Sequence, residues 1–277
     1  MVGIGLKLAL FPLHLWLPNA YAYAPSAATA FIAATATKVA VYALLRFVFT
    51  VFGVEVSFDD LPLDQIFVVL GSIAILSASI VAIFQENVKR MLAYSSVAQI
   101  GYIVLGISLA SNAGLQASIL HLFNHAIMKC ALFMAMGCVL YRLGSVHLRD
   151  MGGIARVMPW TFAAFTVSGL SLIGVPLTVG FVSKWYLVLA VLERGWWPLA
   201  VLVLVGSLLA LIYIWRVVET AWFGQPTPRA ETVREAPASM LLATWTLVLA
   251  NLYFGVQTDL TATLAGEAAG VLIGAGR

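Results

Sequence analysis

The sequence predicts an all-α, polytopic transmembrane bundle of about eight helices, two of which are broken. Two observations support this fold class. Hydrophobic residues make up 62% of the 277 residues, charged residues only 10%, and the mean hydropathy is +1.00, whereas a soluble domain carries about 25% charged residues. The apolar residues also gather into runs of about 20 or more, enough to cross a hydrocarbon core. This composition excludes a soluble enzyme, a disordered chain and a nucleic-acid-binding protein.

Eight apolar segments are separated by short stretches that are rich in turn-forming or charged residues. The predicted spans are 1–18, 26–52, 64–84, 90–110, 114–140, 159–190, 197–221 and 238–257. The first segment is not expected to be a signal peptide, because Lys7 is followed by two prolines and no small-residue cleavage site follows.

The loop cations are distributed unequally between the two sides of the membrane. If successive loops alternate, one side holds eight cations: Lys89, Arg90, Arg142, Arg149, Arg156, Arg216, Arg229 and Arg234. The other side holds three: Arg46, Arg194 and Arg277. Cytoplasmic loops carry the excess of Lys and Arg. We therefore expect a multi-pass protein of the bacterial inner membrane with both termini on the periplasmic or extracellular side.

The remaining four cations are lysines inside predicted spans: Lys7, Lys38, Lys129 and Lys184. A lysine near the bilayer centre costs about 3 kcal/mol on insertion scales, so each one needs an explanation. Snorkelling to the interface explains Arg46, which lies near the end of its span. Lys38 is too deep for that, and Thr35 and Thr37 flank it as candidate hydrogen-bond partners.

The fifth span carries His121, His125 and Lys129 at positions i, i+4 and i+8, with Asn124 beside them. This spacing places the three side chains in one stripe along a helix face. Histidine titrates near neutral pH, so the stripe suits a proton relay. A hydrogen bond between helices is the alternative for either histidine alone. A metal site is disfavoured, because no acid completes it and Lys129 would repel a cation.

Two spans contain helix-breaking residues next to a lysine. Pro12 and Pro18 follow Lys7, and Pro176 and Gly180 precede Lys184. Proline removes a backbone hydrogen bond, and broken backbone is tolerated at membrane depth only inside protein or beside water. A pair of interrupted helices indicates an ion site in a transporter built from inverted repeats. A packing kink is the alternative for either proline alone.

Four segments resemble one family of membrane proteins. KLALFPLHLWLPNAYAYAPS (7–26) resembles the seventh-helix signature of the antiporter-like subunits of respiratory complex I, membrane-bound hydrogenases and Mrp-type cation/proton antiporters. NVKRMLAYSSVAQIGY (87–102) resembles their KR-x-LAYSS signature, and HLFNHAIMKCALF (121–133) and GVPLTVGFVSKWYL (174–187) resemble their eleventh and twelfth helices. These motifs occur in the family order and cover nearly the whole chain.

The resemblance implies a role for each ionisable residue. Lys7 matches the lysine of the broken seventh helix and Lys38 the central lysine of the eighth. His121, His125 and Lys129 match the relay of the eleventh helix. Lys184 matches the terminal ionisable residue of the broken twelfth helix. The family fold, an inverted five-helix repeat, implies three regions: 1–53 as the end of the first repeat, 62–223 as a complete second repeat, and 224–277 as a cytoplasmic loop, a last helix and a tail.

The sequence departs from the family pattern at its beginning. Family members start about six helices earlier, and the glutamate that pairs with the seventh-helix lysine belongs to that region. We therefore expect a truncated gene, a fragmentary gene model or a start at an internal methionine, with an incomplete first half-channel. The ending after the eighth span, without a long lateral helix, is more typical of the Mrp-type antiporter subunit than of the longest antiporter-like subunit of complex I.

The leading hypothesis is a proton-conducting subunit of a multisubunit monovalent cation/proton antiporter. Its partners would be other membrane subunits, the lipid bilayer, protons, and Na⁺ or K⁺ as candidate counter-ions. An antiporter-like subunit of complex I or of a membrane-bound hydrogenase is the first alternative. A truncated structural subunit, whose four lysines are free to change to Leu or Met, is the second. The chain is not expected to be an enzyme on its own, nor to bind a metal, cofactor or nucleic acid.

Overall fold

The computed structural model describes residues 1–275, and Arg277, one of the three cations assigned to the second side, lies outside them. This part of the chain is helical. The one β-bridge among the described residues is an isolated antiparallel pair, Asn87 and His147. The prediction of an all-α, polytopic bundle is confirmed. The α-helices are α1 (Val2–Leu8), α2 (Trp16–Tyr23), α3 (Ser26–Arg46), α4 (Leu63–Ile83), α5 (Val88–Ser108), α6 (Asn112–Leu143), α7 (Pro159–Ile173), α8 (Val179–Glu193), α9 (Trp197–Phe223), α10 (Pro228–Glu231), α11 (Ala238–Val256) and α12 (Asp259–Ala275).

Six continuous helices in residues 1–275 are long and apolar enough to cross a membrane. They are α4, α5, α6, α9, α11, and α3 with its π-helical continuation, Ser26–Val51. The first and sixth predicted spans are the two interrupted helices, α1 with α2 and α7 with α8. The six continuous helices and the two interrupted helices together account for the eight predicted spans.

The separator predicted over residues 55–64 is partly helical. Two short π-helices, Phe47–Val51 and Glu55–Asp60, follow α3. Gly53 turns the chain between them with φ of 81°, and the Ser57 hydroxyl donates to the Val48 carbonyl oxygen at 2.8 Å. This bond holds the polar segment in a helical conformation that its composition did not indicate.

The tail predicted after residue 257 is also helical, because it forms α12. Its buried residues Ala262, Ala265 and Ala269 recur every three or four positions, which gives one small-residue face. That face packs on α6, where the Gln116 amide donates to the Ala262 carbonyl oxygen at 2.9 Å. Small residues let helix backbones approach closely in membranes.

Helix α6 lies at the centre of the bundle and packs against α3, α5, α7, α8, α11 and α12. Its neighbour α5 is buried over almost its whole length, and α5 in turn packs tightly on α4. Glycines permit that close approach: a Cβ on Gly71 would lie 2.9 Å from the Gly101 carbonyl oxygen, and one on Gly101 would lie 2.8 Å from that of Gly71. Polar side chains on α5 and α6 are therefore removed from lipid.

Candidate functional site

The polar stripe of α6 is buried at the centre of the bundle. The side chains of His121, His125 and Lys129 have exposed fractions of 3%, 0% and 0%. The rings of the two histidines stack almost in parallel, with centroids 6.0 Å apart and an interplanar angle of 4°. The predicted helical spacing therefore brings the three groups together in protein, not at the lipid surface.

Lys129 is held only by uncharged oxygen atoms of α5. Its Nζ donates to the Leu92 carbonyl oxygen at 2.8 Å and to the Ser95 hydroxyl. Both contacts come from the first two turns of α5, and within residues 1–275 no carboxylate forms an ion pair with Lys129. A proton can thus leave or reach this amine without the breaking of a salt bridge.

His121 bridges two helices. Its Nε2 lies 3.0 Å from Oε1 of Gln99 on α5, and its Nδ1 lies 2.7 Å from the Ser183 hydroxyl on α8. With the amide placed this way, Nε2 carries the proton and donates, and Nδ1 accepts from the serine. Either ring nitrogen can exchange this role if the tautomer changes. His121 therefore connects the α6 stripe to the residue directly before Lys184.

His125 has different surroundings. Within the described residues neither ring nitrogen has a hydrogen-bond partner, and the same holds for Oδ1 of its neighbour Asn124. The Asn124 amide group instead donates to the Val179 carbonyl oxygen at 2.8 Å, at the start of α8. Buried polar groups are normally paired with protein or water.

Lys184 closes the break in the sixth span. Its Nζ donates to the carbonyl oxygen atoms of Leu172 at 3.0 Å and Ile173 at 2.9 Å, and to the Ser207 hydroxyl at 3.0 Å. The two carbonyls are the last of α7, where helix geometry leaves oxygen atoms without partners and the dipole is negative. The ammonium also lies 5.0 Å from the centroid of the Tyr102 ring.

The break itself covers residues 174–178, between α7 and α8. Gly174 starts it with φ of 97°, a left-handed conformation that favours glycine. Pro176 lies in the break, as expected, but Gly180 lies in the first turn of α8 and does not interrupt the helix. Its role is close packing, because a Cβ there would come 1.7 Å from the Ser171 carbonyl oxygen.

Lys38 lies on α3, half-buried and directed toward α6. Its Nζ donates to the Ala33 carbonyl oxygen at 2.6 Å and lies 3.4 Å from the Thr37 hydroxyl. The other candidate partner, Thr35, instead donates to the Phe31 carbonyl oxygen at 2.8 Å. Lys38 is within electrostatic reach of the α6 stripe, namely His121, His125 and Lys129.

Lys7 is not brought into this group. It occupies the last turn of α1, its side chain is exposed, and within residues 1–275 it makes no hydrogen bond or ion pair. The break after it covers residues 9–15 and contains Pro12. Pro18 lies in the first turn of α2, where a missing N–H has no structural cost, so the expectation that it breaks the helix is wrong.

Sequence reasoning missed the partners that α5 supplies. Lys129 bonds to Leu92 and Ser95, His121 bonds to Gln99, and Lys184 lies over the ring of Tyr102. These four residues of α5 recur at intervals of three or four along one helix face. The spacing of Ser95 and Gln99 within an apolar span was the available signal, since an amide in such a span needs a partner.

Lys89 was counted as a loop cation, and this assignment is wrong. It lies in the first turn of α5 with an exposed fraction of 1%, and its Nζ donates to the Ala24 carbonyl oxygen at 2.7 Å. Ala24 is the C-terminal cap of α2. Lys89 therefore secures the far end of the first interrupted helix.

Comparison with known proteins agrees with this geometry. The family model described as "NADH:quinone oxidoreductase/Mrp antiporter, TM" matches residues 1–210. The chain belongs to this family. It is 43% identical over 271 residues to NADH-quinone oxidoreductase subunit N of Desulforudis audaxviator, covering 94% of this chain and 54% of the relative.

Relatives from antiporter complexes match over a similar length. A Na(+)/H(+) antiporter subunit of Bacillus subtilis is 28% identical over 273 residues, covering 99% of this chain and 55% of the relative. A chain of the Mrp complex from Dietzia sp. DQ12-45-1b superposes with a TM-score of 0.90 at 29% identity, covering 98% of this chain and 58% of that chain. The chain thus spans about half the length of the curated relatives it matches.

Proposed function

We propose that this chain conducts protons through the membrane along a buried series of amines and imidazoles. The observation that carries the proposal is that Lys129 and Lys184 are buried and held by uncharged oxygen atoms only. A buried lysine without an acidic partner is costly as a structural element. Proton exchange explains why both of these amines are kept inside the protein.

The proposed path runs from Lys38 through the α6 stripe to Lys184. Lys38 faces the stripe from α3, and Lys129 and His125 continue it along α6. His121 follows through ring stacking, and its hydrogen bond to Ser183 leads onto α8, where the next residue is Lys184. Lys7 remains a prediction of the family resemblance, because no described group forms a hydrogen bond or an ion pair with it.

For the complex to which this chain contributes, we propose a multisubunit monovalent cation/proton antiporter. The close superposition on a chain of the Mrp complex supports this assignment. A second candidate is the proton-translocating membrane arm of an NADH-quinone oxidoreductase, supported by the higher sequence identity to a subunit N. In either case the chain is a transport subunit, and any redox chemistry would take place in other subunits.

We also propose the bacterial inner membrane as the location, with both termini on the periplasmic or extracellular side. The eight-to-three distribution of loop cations motivated this orientation, and the burial of Lys89 leaves seven to three. Cysteines placed at Arg149 and Asp60 should react with a membrane-impermeant thiol reagent from opposite sides, with Arg149 cytoplasmic. Reaction of both from outside would contradict the topology.

Replacement of Lys129 tests the function directly. In the assembled complex, Lys129→Ala should lower proton transport in membrane vesicles by about 100-fold, because a methyl group cannot exchange a proton. Arg46→Ala is the control, since Arg46 is an exposed cation at the end of α3 with no described side-chain bond, and it should leave transport unchanged. Normal transport in Lys129→Ala would reduce that lysine to a packing role.

A further inference from the structure

Half-helix α7 carries a charged side chain at each of its ends. At its C-terminal end the Lys184 ammonium binds the last two carbonyl oxygen atoms. At its N-terminal end the Glu235 carboxylate accepts from the Trp160 backbone N–H at 2.8 Å and from the Thr161 hydroxyl at 2.6 Å. Each charge has the sign that complements the helix dipole.

Glu235 supplies a cap that the local sequence lacks. Helix α7 begins at Pro159, which has no N–H, and the preceding residue, Met158, makes no side-chain cap. The N–H groups of the first turn have no partner within a helix. Glu235, 75 residues away in the sequence, binds that of Trp160 and lies 3.4 Å from that of Thr161.

The position of Glu235 is itself fixed from α6. In the last turn of that helix, the Arg142 guanidinium donates through Nε to the Glu235 carbonyl oxygen at 2.9 Å. The Glu235 carboxylate also accepts from the Ala236 N–H at 2.9 Å, which holds its rotamer. A chain of contacts therefore runs from the end of α6, through Glu235 and along α7, to Lys184.

The length of α7 decides how Glu235 can affect Lys184. Its 15 residues extend about 21 Å at 1.5 Å per residue. Glu235 is half-exposed at the surface, where charges are screened beyond about 8 Å at physiological ionic strength. An effect on Lys184 must therefore be carried by the position of the helix and not by the field of the carboxylate.

We infer that Glu235 is a positioning residue for Lys184: by capping α7 it fixes the two carbonyl oxygen atoms that hold the ammonium. This inference rests on the proposed function, because it gives Lys184 a part in proton transport. It assigns a function to the loop between α9 and α11.

Rescue by a conservative variant separates position from charge. Glu235→Ala should lower proton transport per assembled complex by about fivefold, the size expected for loss of a helix cap. Glu235→Gln keeps one acceptor oxygen for the Trp160 N–H and an NH2 group that can donate to the Thr161 hydroxyl, at the cost of the Ala236 bond. It should therefore restore transport to within about twofold of the parent. Glu231→Ala, an exposed acid of the same loop with no described side-chain bond, is the control. Equal loss in Glu235→Gln and Glu235→Ala, or no loss in Glu235→Ala, would overturn the inference.

A second measurement does not depend on transport. Ser171 is fully buried near the far end of α7, and Ser171→Cys places a thiol there with little change in shape. In the assembled complex, modification of this position, read by peptide mass spectrometry, should be about fivefold faster with Glu235→Ala than without it. The Gln variant should react at the parental rate. An unchanged modification rate with Glu235→Ala would show that the cap does not fix the end of α7, independently of any role of Lys184 in transport. If modification at position 171 is faster with Glu235→Ala but Lys184→Ala still transports protons normally, the capping role of Glu235 stands and only the proposed function is refuted.

Discussion

The two interrupted helices each combine a proline in the break with a nearby lysine, but their structures differ. In the second, Lys184 follows the break and reaches back to the carbonyl oxygen atoms of the preceding half-helix. In the first, Lys7 precedes the break and is exposed. The described side-chain bond between the two halves lies at the surface, where the Trp16 indole N–H donates to the Leu6 carbonyl oxygen at 2.8 Å. In the second break the lysine ammonium packs against protein oxygen atoms. In the first break the lysine is exposed, although Ala9, Leu10 and His14 in that break are buried.

The position of the lysine relative to the break accounts for this difference. Helical side chains point toward the N-terminus of their own helix. A lysine on the second half therefore points to the free carbonyls of the first half, which attract a cation. A lysine on the first half points away from the break. At α2 the corresponding task of capping a helix end is done by Lys89, from a different helix.

The largest expected effect concerns Lys184, which caps the end of α7 at the second break and which we propose to be a proton carrier. Lys184→Ala should lower proton transport of the assembled complex by about 100-fold. Lys184→Arg keeps a cation and hydrogen-bond donors, but the guanidinium does not deprotonate in proteins, so transport should fall as far. If Lys184→Arg transports normally, capping alone is the role of this residue, and the contrast with Lys7 is only structural.

A pair of glycine substitutions compares the packing of the two breaks. Gly180→Ala places a methyl group 1.7 Å from the Ser171 carbonyl oxygen, so it should lower the free energy of unfolding by about 3 kcal/mol. Gly5→Ala in α1 meets its nearest atom, on Leu13, at 3.5 Å, which is ordinary contact. That change should raise stability by about 0.5 kcal/mol, because Ala favours helix over Gly. Thermal unfolding in detergent measures both, and equal effects would contradict the difference in packing.

The smallest expected effect concerns the link from the second break to the α6 stripe. His121→Gln and His125→Gln should each slow proton transport by about threefold, because water can bridge one missing group. The double change should cost more in free energy than the two single changes together, since the two rings are in contact. Transport rates of the two single variants and of the double variant give this coupling energy.

The alternative for the histidines is a packing role, through hydrogen bonds worth about 0.6 kcal/mol each in membranes. Glutamine can replace such bonds, which among the described residues are those of His121 to Gln99 and Ser183. A double variant with normal transport would therefore remove both histidines from the pathway and leave Lys184 without a described route from α6.

Much of the fold and part of the candidate site could be predicted from the sequence. Runs of apolar residues have a length that the bilayer thickness dictates, so the eight spans were predictable from composition. The stripe of His121, His125 and Lys129 followed from helical periodicity alone. Proline and glycine indicated the regions of both breaks, although Pro18 and Gly180 lie within helices, and the helix after residue 257 was missed.

Only the tertiary structure decided which groups these side chains contact. Three sets of contacts join residues far apart in the sequence: those of Lys129 and His121 with α5, that of Lys89 with the end of α2, and that of Glu235 with the start of α7. Local periodicity determines which side chains share a helix face, because it follows from the geometry of a single helix. Which faces meet depends on how all the helices pack at once, and the close contacts at glycines such as Gly180 set that packing.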